Sequence, residues 1–237
     1  MTADIVFLNG WAMSESAWHP LLAAAPRHWS TEIINLHALQ GRSVEELAAA
    51  AARYAPERCD VIGWSLGAEV ALQWAHDRPQ QVARLILIAA TPCFVARPDW
   101  PAGMAASVFE EFVADMHRDP ADALRRFTLL QARGDANVHG VARVLRDALA
   151  PHDEVALDHG LECLKNGDLR ALAPHVTQQT RLIHGGRDGL VPLDAAERLR
   201  ALLPHSKLEV VSNAAHAPHI SDPAAVAASI SEFLYEQ

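Results

Sequence analysis

The chain has 237 residues, 50 % of them hydrophobic and 21 % charged, enough for one α/β domain with a sizeable core and too apolar for disorder. Its 29 acidic and 20 basic residues leave a formal net charge of -9, the wrong sign for non-specific nucleic-acid binding. Apolar runs such as residues 85–90 are far too short to span a bilayer, and Asp4 interrupts the apolar start, so neither membrane segment nor signal peptide is expected and the cytoplasm is the expected compartment.

In chain order, residues 4–8 (DIVFL) read as a buried strand ended by the turn Asn9-Gly10. Residues 14–25 read as a helix capped by Ser14 and stopped by Pro26, and residues 32–36 as the next strand. Ser43 and Glu46 form a capping-box pattern opening an alanine-rich helix that runs to Tyr54. A strand over 60–64, a helix over 66–77 and a fully apolar strand over 85–89 follow. Between 97 and 177 the alternation stops. Helical periodicity continues (Val108, Phe112, Val113, Met116, then Leu124, Phe127, Leu130) without a strand, so this stretch is expected to be an all-helical lid inserted into one domain spanning 1–237. Alternation resumes with strands over 181–184 and 207–211 and helices over 193–203 and 224–234. Continuous apolar strands separated by helices imply a mostly parallel, doubly wound sheet with helices on both faces.

Chemistry concentrates at strand ends. Gly63-Trp64-Ser65-Leu66-Gly67 fits G-x-S-x-G at a strand-to-helix junction, where a sharp turn lifts the serine oxygen above the sheet. Ser65 is therefore the expected nucleophile; the plain alternative is a glycine-rich turn. Asp188 follows a strand through Gly185-Gly186-Arg187 and is the expected acid, ahead of Asp194, within or just before the next helix, and Asp168, in the insertion. Its alternative is a turn aspartate before Gly189. Of 13 histidines, only His216 and His219 lie just after the last strand, and His216 is chosen as the base because it is nearer the strand end and flanked by alanines. Backbone N–H groups of Leu66 and Trp11 are the expected oxyanion donors, with Gly10 permitting the close turn. Cys59, Cys93 and Cys163 are odd in number and scattered, which suits neither a disulfide framework nor a zinc cluster, and no histidine is positioned for Cys93. Without metal-ligand spacing, G-x-G-x-x-G or a P-loop, no metal and no cofactor are expected.

Together with Leu8-Asn9-Gly10-Trp11, Pro92-Cys93-Phe94, Asp188-Gly189-Leu190-Val191-Pro192 and Ala214-Ala215-His216-Ala217-Pro218, the elbow resembles the α/β-hydrolase superfamily throughout the chain. More narrowly it is similar to the esterases that act on the methyl ester of pimeloyl-[acyl-carrier protein] in biotin synthesis. That resemblance implies an α/β-hydrolase fold and a triad of Ser65, Asp188 and His216. It puts Trp11, Leu66 and the triad's Ser65 and His216 at the substrate, with Phe127, Thr128, Leu129, Leu130 and Gln131 lining an acyl channel. Two positions depart from the family pattern: Asn9 replaces the usual histidine, and Ala68 replaces a second glycine. The implied reaction releases methanol and leaves pimeloyl-[acyl-carrier protein], so the implied partner is an acidic carrier protein, met by a monomer. Between residues 118 and 146 six arginines face three acids, and Arg126 and Arg143 are the expected docking cations; the plain alternative is a solvated helix face. Alternatives are a general short-chain carboxylesterase or thioesterase, a carbon–carbon bond hydrolase or lyase of the same fold, and a binding module that has lost activity. Dehalogenases and epoxide hydrolases of this fold need aspartate where Ser65 stands.

Overall fold

In the computed structural model, which describes residues 4–151 and 153–235, the apolar runs form six strands. They are β1 (Asp4–Leu8), β2 (Ser30–Ile34), β3 (Cys59–Trp64), β4 (Val82–Ile88), β5 (Gln179–Gly185) and β6 (Ser206–Val211). All pair in parallel, in the order β2-β1-β3-β4-β5-β6. Every residue of β3 is buried, as a central parallel strand requires, whereas β2 and β6 at the sheet edges are half exposed.

Ten helices accompany these strands among the described residues: α1 (His19–Ala24), α2 (Val44–Tyr54), α3 (Leu66–Asp77), α4 (Ala106–Arg118), α5 (Pro120–Ala132), α6 (Val138–Asp147), α7 (Glu154–Asn166), α8 (Leu193–Leu202), α9 (Pro218–Ser221) and α10 (Pro223–Tyr235). α1 packs on α10, α2 on α3, and α8 on β5 and β6. Among the described residues no helix is long and apolar enough to cross a membrane.

The elements that differ most from the sequence reading are the second and fourth strands and the first helix; β4 begins at Val82, three residues before the expected start at 85. The second strand lies two residues earlier than expected: Leu36 turns away in a short 3₁₀ segment, and its N–H donates to Asn9 instead of continuing the ladder. The expected helix over 14–25 divides into a 3₁₀ turn (Glu15–Trp18) and α1, because Pro20 lacks the N–H that a continuous helix needs. Ser14 caps neither; its hydroxyl bonds Ser16 and the carbonyl of Ala148. In α2, Ser43 does accept the Glu46 N–H at 3.2 Å, but the Glu46 carboxylate reaches back to the N–H of Arg42 rather than of Ser43.

Between β4 and β5 the described chain contains α4 to α7 and no strand. Asp119 caps α5, Asn137 caps α6 and Asp153 caps α7, each accepting N–H groups of the first turn. The C-terminal ends of β1, β3, β5 and β6 lie along one edge of the sheet. That edge carries the loops with Trp11, Ser65, Asp188 and His216.

Candidate active site

Ser65 leaves β3 with φ 55° and ψ -121°, a left-handed backbone that a non-glycine residue adopts only under strain. The turn is held by Ser65 N–H to the Ile88 carbonyl (3.0 Å) and by the Ser65 carbonyl, which accepts the N–H of Ala68 (2.8 Å). Such sharpness demands the two glycines. A Cβ on Gly67 would stand 2.2 Å from the Leu8 carbonyl oxygen, and one on Gly63 2.2 Å from that of Gly67.

His216 Nε2 lies 2.9 Å from Ser65 Oγ, and His216 Nδ1 lies 2.8 Å from Asp188 Oδ2. The other carboxylate oxygen, Oδ1, accepts the N–H groups of Leu190 and Val191, both at 2.9 Å. The Asp-Gly turn therefore orients the carboxylate. Burial alone pushes the Asp188 carboxyl up, but the His216 imidazole, its hydrogen bond, His184 and the Val191 N–H outweigh it, and the net displacement is downward. Asp188 is thus an anion facing an Nδ1–H, which leaves His216 Nε2 free to accept the serine proton. His184 packs behind, 3.6 Å from Asp188 Oδ2, and its Nε2–H donates to the Val191 carbonyl (2.9 Å). The rival acids are engaged elsewhere: Asp194 pairs with Arg198 in α8, and Asp168 with Arg170 and Arg97.

His219 is fully buried between Trp64 (ring centroids 4.6 Å apart) and Trp18 (4.7 Å), and neither ring nitrogen has a hydrogen-bond partner among the described residues. Burial above all, and secondarily the nearby His216 imidazole, pushes it down to about 3. An ordinary histidine in the unfolded chain titrates near 6.5, so between about pH 6.5 and 3 the unfolded state binds a proton that the folded state refuses. Stability from this group is complete above about pH 6.5 and falls below it, by at most about 1.4 kcal/mol per pH unit. His219→Phe should therefore lose less stability between pH 7.5 and 5 than the wild type in urea unfolding. Equal losses in both proteins would contradict this account.

The loop after β1 is pinned by Asn9. Its side-chain amide donates to the Met13 carbonyl, and its Oδ1 accepts the Leu36 N–H at 3.2 Å. Asparagine thus fastens the turn from within. Trp11 follows with its indole N–H on the Leu157 carbonyl (2.9 Å) and its ring edge-on to Phe127 (5.0 Å) and Phe112 (5.6 Å). Neither the Trp11 nor the Leu66 backbone N–H has a protein acceptor among the described residues, so both are available as donors.

A cavity of about 640 Å³, lined mostly by apolar side chains, lies among the helices between β4 and β5 and meets the loop edge at Trp11 and Leu190. Of the expected substrate-binding residues, Trp11, Phe127, Leu129 and Leu130 line it. Ser65, Leu66, Thr128, Gln131 and His216 do not. Successive helical positions are about 100° apart, so five consecutive residues of α5 cannot all face one cavity. Thr128 is buried with its hydroxyl on the Arg125 carbonyl (2.8 Å), and the Gln131 carbonyl instead accepts the N–H of His216 (3.1 Å).

The two expected docking cations differ in their surroundings. Arg126 is bound by Asp115 (2.7 Å) and Asp122 (3.0 Å) at the cavity wall. Arg143 is exposed and makes no ion pair among the described residues. Cys93 receives the Arg97 Nε–H (3.1 Å), and its own thiol donates to the Val95 carbonyl; burial pushes that thiol up. No group of three or more His, Cys, Asp or Glu among the described residues could hold a metal ion.

Sequence reasoning missed the partners of the histidine loop. Besides the Gln131 carbonyl, the buried carboxylate of Asp135 accepts the Ala215 N–H (3.0 Å), and the Trp64 indole donates to the His216 carbonyl (2.8 Å). For Asp135 the one sequence signal is its place just before the Asn137 cap, which reads as an ordinary turn.

Residues 42–223 match the family described as alpha/beta hydrolase fold. A hydrolase from Oleispira antarctica superposes with a TM-score of 0.86 at 14 % identity, covering 99 % of this chain and 92 % of that one, a likeness of fold. The pimeloyl-[acyl-carrier protein] methyl ester esterase of Aromatoleum aromaticum is 40 % identical over 239 residues, 93 % of each chain. The protein of the same name from Nitrosomonas europaea is 34 % identical, over 93 % of this chain and 91 % of its own. By fold and by identity along nearly its whole length, the chain belongs to the α/β-hydrolase superfamily and, within it, to the pimeloyl-[acyl-carrier protein] methyl ester esterase family.

Proposed function

We propose that this chain is a serine carboxylesterase that hydrolyses the methyl ester of pimeloyl-[acyl-carrier protein] to pimeloyl-[acyl-carrier protein] and methanol in biotin synthesis. The observation that carries the chemistry is the unbroken line Asp188–His216–Ser65, at 2.8 and 2.9 Å, beside a mostly apolar cavity. The substrate follows from the names of the relatives at 34–40 % identity.

His216 Nε2 takes the Ser65 proton as Oγ attacks the ester carbonyl, and Asp188 stabilises the imidazolium and holds its tautomer. The Leu66 and Trp11 N–H groups receive the developing oxyanion; the start of α3 adds the positive end of its dipole. Methoxide is a poor leaving group, so His216 returns the proton to it and methanol departs from the acyl-enzyme. Water, deprotonated by the same histidine, then attacks the acyl carbonyl; Ser65 regains its proton and the carboxylic acid leaves. Phe127, Leu129, Leu130, Trp11 and Phe112 hold the methylene chain. Residues 97–177 act as the lid of a single domain. All these groups belong to one chain, which supports a monomer, and an intracellular carrier-protein substrate supports a cytoplasmic location.

An acidic carrier should dock on the exposed cations of α5 and α6, Arg143 foremost, because Arg126 is already shared by two carboxylates. Such pairs act on encounter more than on affinity and are screened beyond a Debye length of roughly 8 Å at physiological salt. The test assays carrier-linked pimeloyl methyl ester beside a small soluble ester. The wild type should release methanol from the carrier-linked substrate. Arg143→Glu should lower kcat/KM about tenfold for that substrate at low salt, with the defect shrinking as salt rises and the small ester unaffected. A wild type active on the small ester and inert on the carrier-linked one would overturn the substrate, leaving a general esterase. An Arg143→Glu protein with unchanged kinetics would move the docking site elsewhere.

A further inference from the structure

Asp135 lies outside the triad, yet it touches the loop that carries His216. It sits in the turn between α5 and α6 and is 5 % exposed. Its Oδ2 accepts the Ala215 N–H at 3.0 Å and its Oδ1 the Asn137 N–H at 2.8 Å. Two backbone bonds join the same segments: His216 N–H to the Gln131 carbonyl (3.1 Å) and Ala136 N–H to the Asn213 carbonyl (2.9 Å). The helical insertion and the histidine loop, 80 positions apart in sequence, are thus tied at three points, one of them a side chain.

A carboxylate is a demanding choice for this place. Burying it is unfavourable unless N–H donors replace its water, and here the donors are two backbone amides from different segments. Only a carboxylate accepts on both oxygens. Asparagine could serve one N–H and would turn its own NH₂ group against the other. Ala215 immediately precedes His216, whose Nε2 must stay within hydrogen-bond reach of Ser65, and small displacements of a proton-transfer partner are costly.

We infer that Asp135 is a positioning residue. By holding the Ala215 N–H it sets the place of His216 and couples the packing of the helical insertion to proton transfer at Ser65. The inference rests on the roles proposed above for Ser65 and His216.

The test compares Asp135→Asn with Asp119→Ala, which removes the cap of α5 in the same insertion but touches nothing in the histidine loop. On a small p-nitrophenyl ester, Asp135→Asn should lower kcat about 10- to 100-fold while KM stays within about twofold. The rate at which a fluorophosphonate labels Ser65 should fall in proportion. Asp119→Ala should lower the thermal midpoint without a matching loss of kcat. A folded Asp135→Asn with wild-type kcat would overturn the inference. So would a loss that tracks the thermal midpoint equally in both variants, or one confined to KM. Amide exchange of the unmodified protein gives an arm independent of any variant: the Ala215 and His216 amides should be protected like those of β5, and exchange at the rate of an exposed loop would also overturn it. If Ser65→Ala kept its activity, the proposed mechanism itself would fail, an outcome distinct from an Asp135→Asn enzyme that works while Ser65→Ala does not.

Discussion

Ser65→Ala should lower kcat for ester hydrolysis on the order of 10⁶-fold while the protein remains folded, because the remaining groups of a triad cannot act without its nucleophile. The fold should survive for a specific reason. Serine and alanine both carry a Cβ, so the strain at φ 55° is the same in either protein, and the turn bonds to Ile88 and Ala68 are backbone bonds. Only Oγ and its hydrogen bond to His216 Nε2 are lost. Single-turnover kinetics and a thermal melt on the same preparation check both halves. Turnover above a few per cent of wild type, free of contaminating esterase, would sink Ser65 as the nucleophile.

His216→Ala should be nearly as damaging, and Asp188→Asn should cost on the order of 10⁴-fold in kcat. The second figure has a geometric basis. Asp188 Oδ1 receives the Leu190 and Val191 N–H groups, so in asparagine the carbonyl oxygen must stay on that side. The amide NH₂ then faces His216 Nδ1 and can only donate to it. The imidazole is driven to carry its proton on Nε2, where it can no longer accept from Ser65. Folding is less affected than in His216→Ala, which leaves the buried Asp188 anion without the donor on Oδ2. The measurement is kcat and KM on a small ester for both variants, with the thermal midpoint alongside. A mild His216→Ala beside an inactive His219→Ala would reverse the choice of base. That result would be hard to reconcile with a His219 ring enclosed by two tryptophans and without a hydrogen-bond partner among the described residues.

Much of this architecture is written locally. The run Asp4–Leu8, the glycine pair around Ser65 and the helix Leu66–Asp77 follow from short-range rules. An unbroken apolar run is a buried strand, and a turn with no room for a Cβ needs glycine. Ser65, Asp188 and His216 were legible for the same reason. Each lies in a short loop directly after a strand, and in a parallel sheet those loops share one edge, so position along the chain implies nearness in space. The limits of local reading show at β2, where the pattern Glu-Ile-Ile-Asn-Leu extends equally well in two registers. The side chain of Asn9, 27 residues away, ends the strand at Ile34 by capturing the Leu36 N–H.

Short-range patterns in the chain thus account for the alternation of strands and helices, the strained serine turn, and the placement of Asp188 and His216 at the same sheet edge. Which surface each face of the helical insertion meets depends on long-range packing. Periodicity shows that α5 has a buried side but not what lies against it, so Phe127 and Leu130 reach the cavity while the Gln131 carbonyl and Asp135 reach the histidine loop. Charge counting finds six arginines between residues 118 and 146 but not that Arg126 is already held by two carboxylates while Arg143 stands free of ion pairs among the described residues. These outcomes depend on contacts between segments tens of residues apart, whose geometry is set by packing of the whole core and leaves no mark in any local window of the chain.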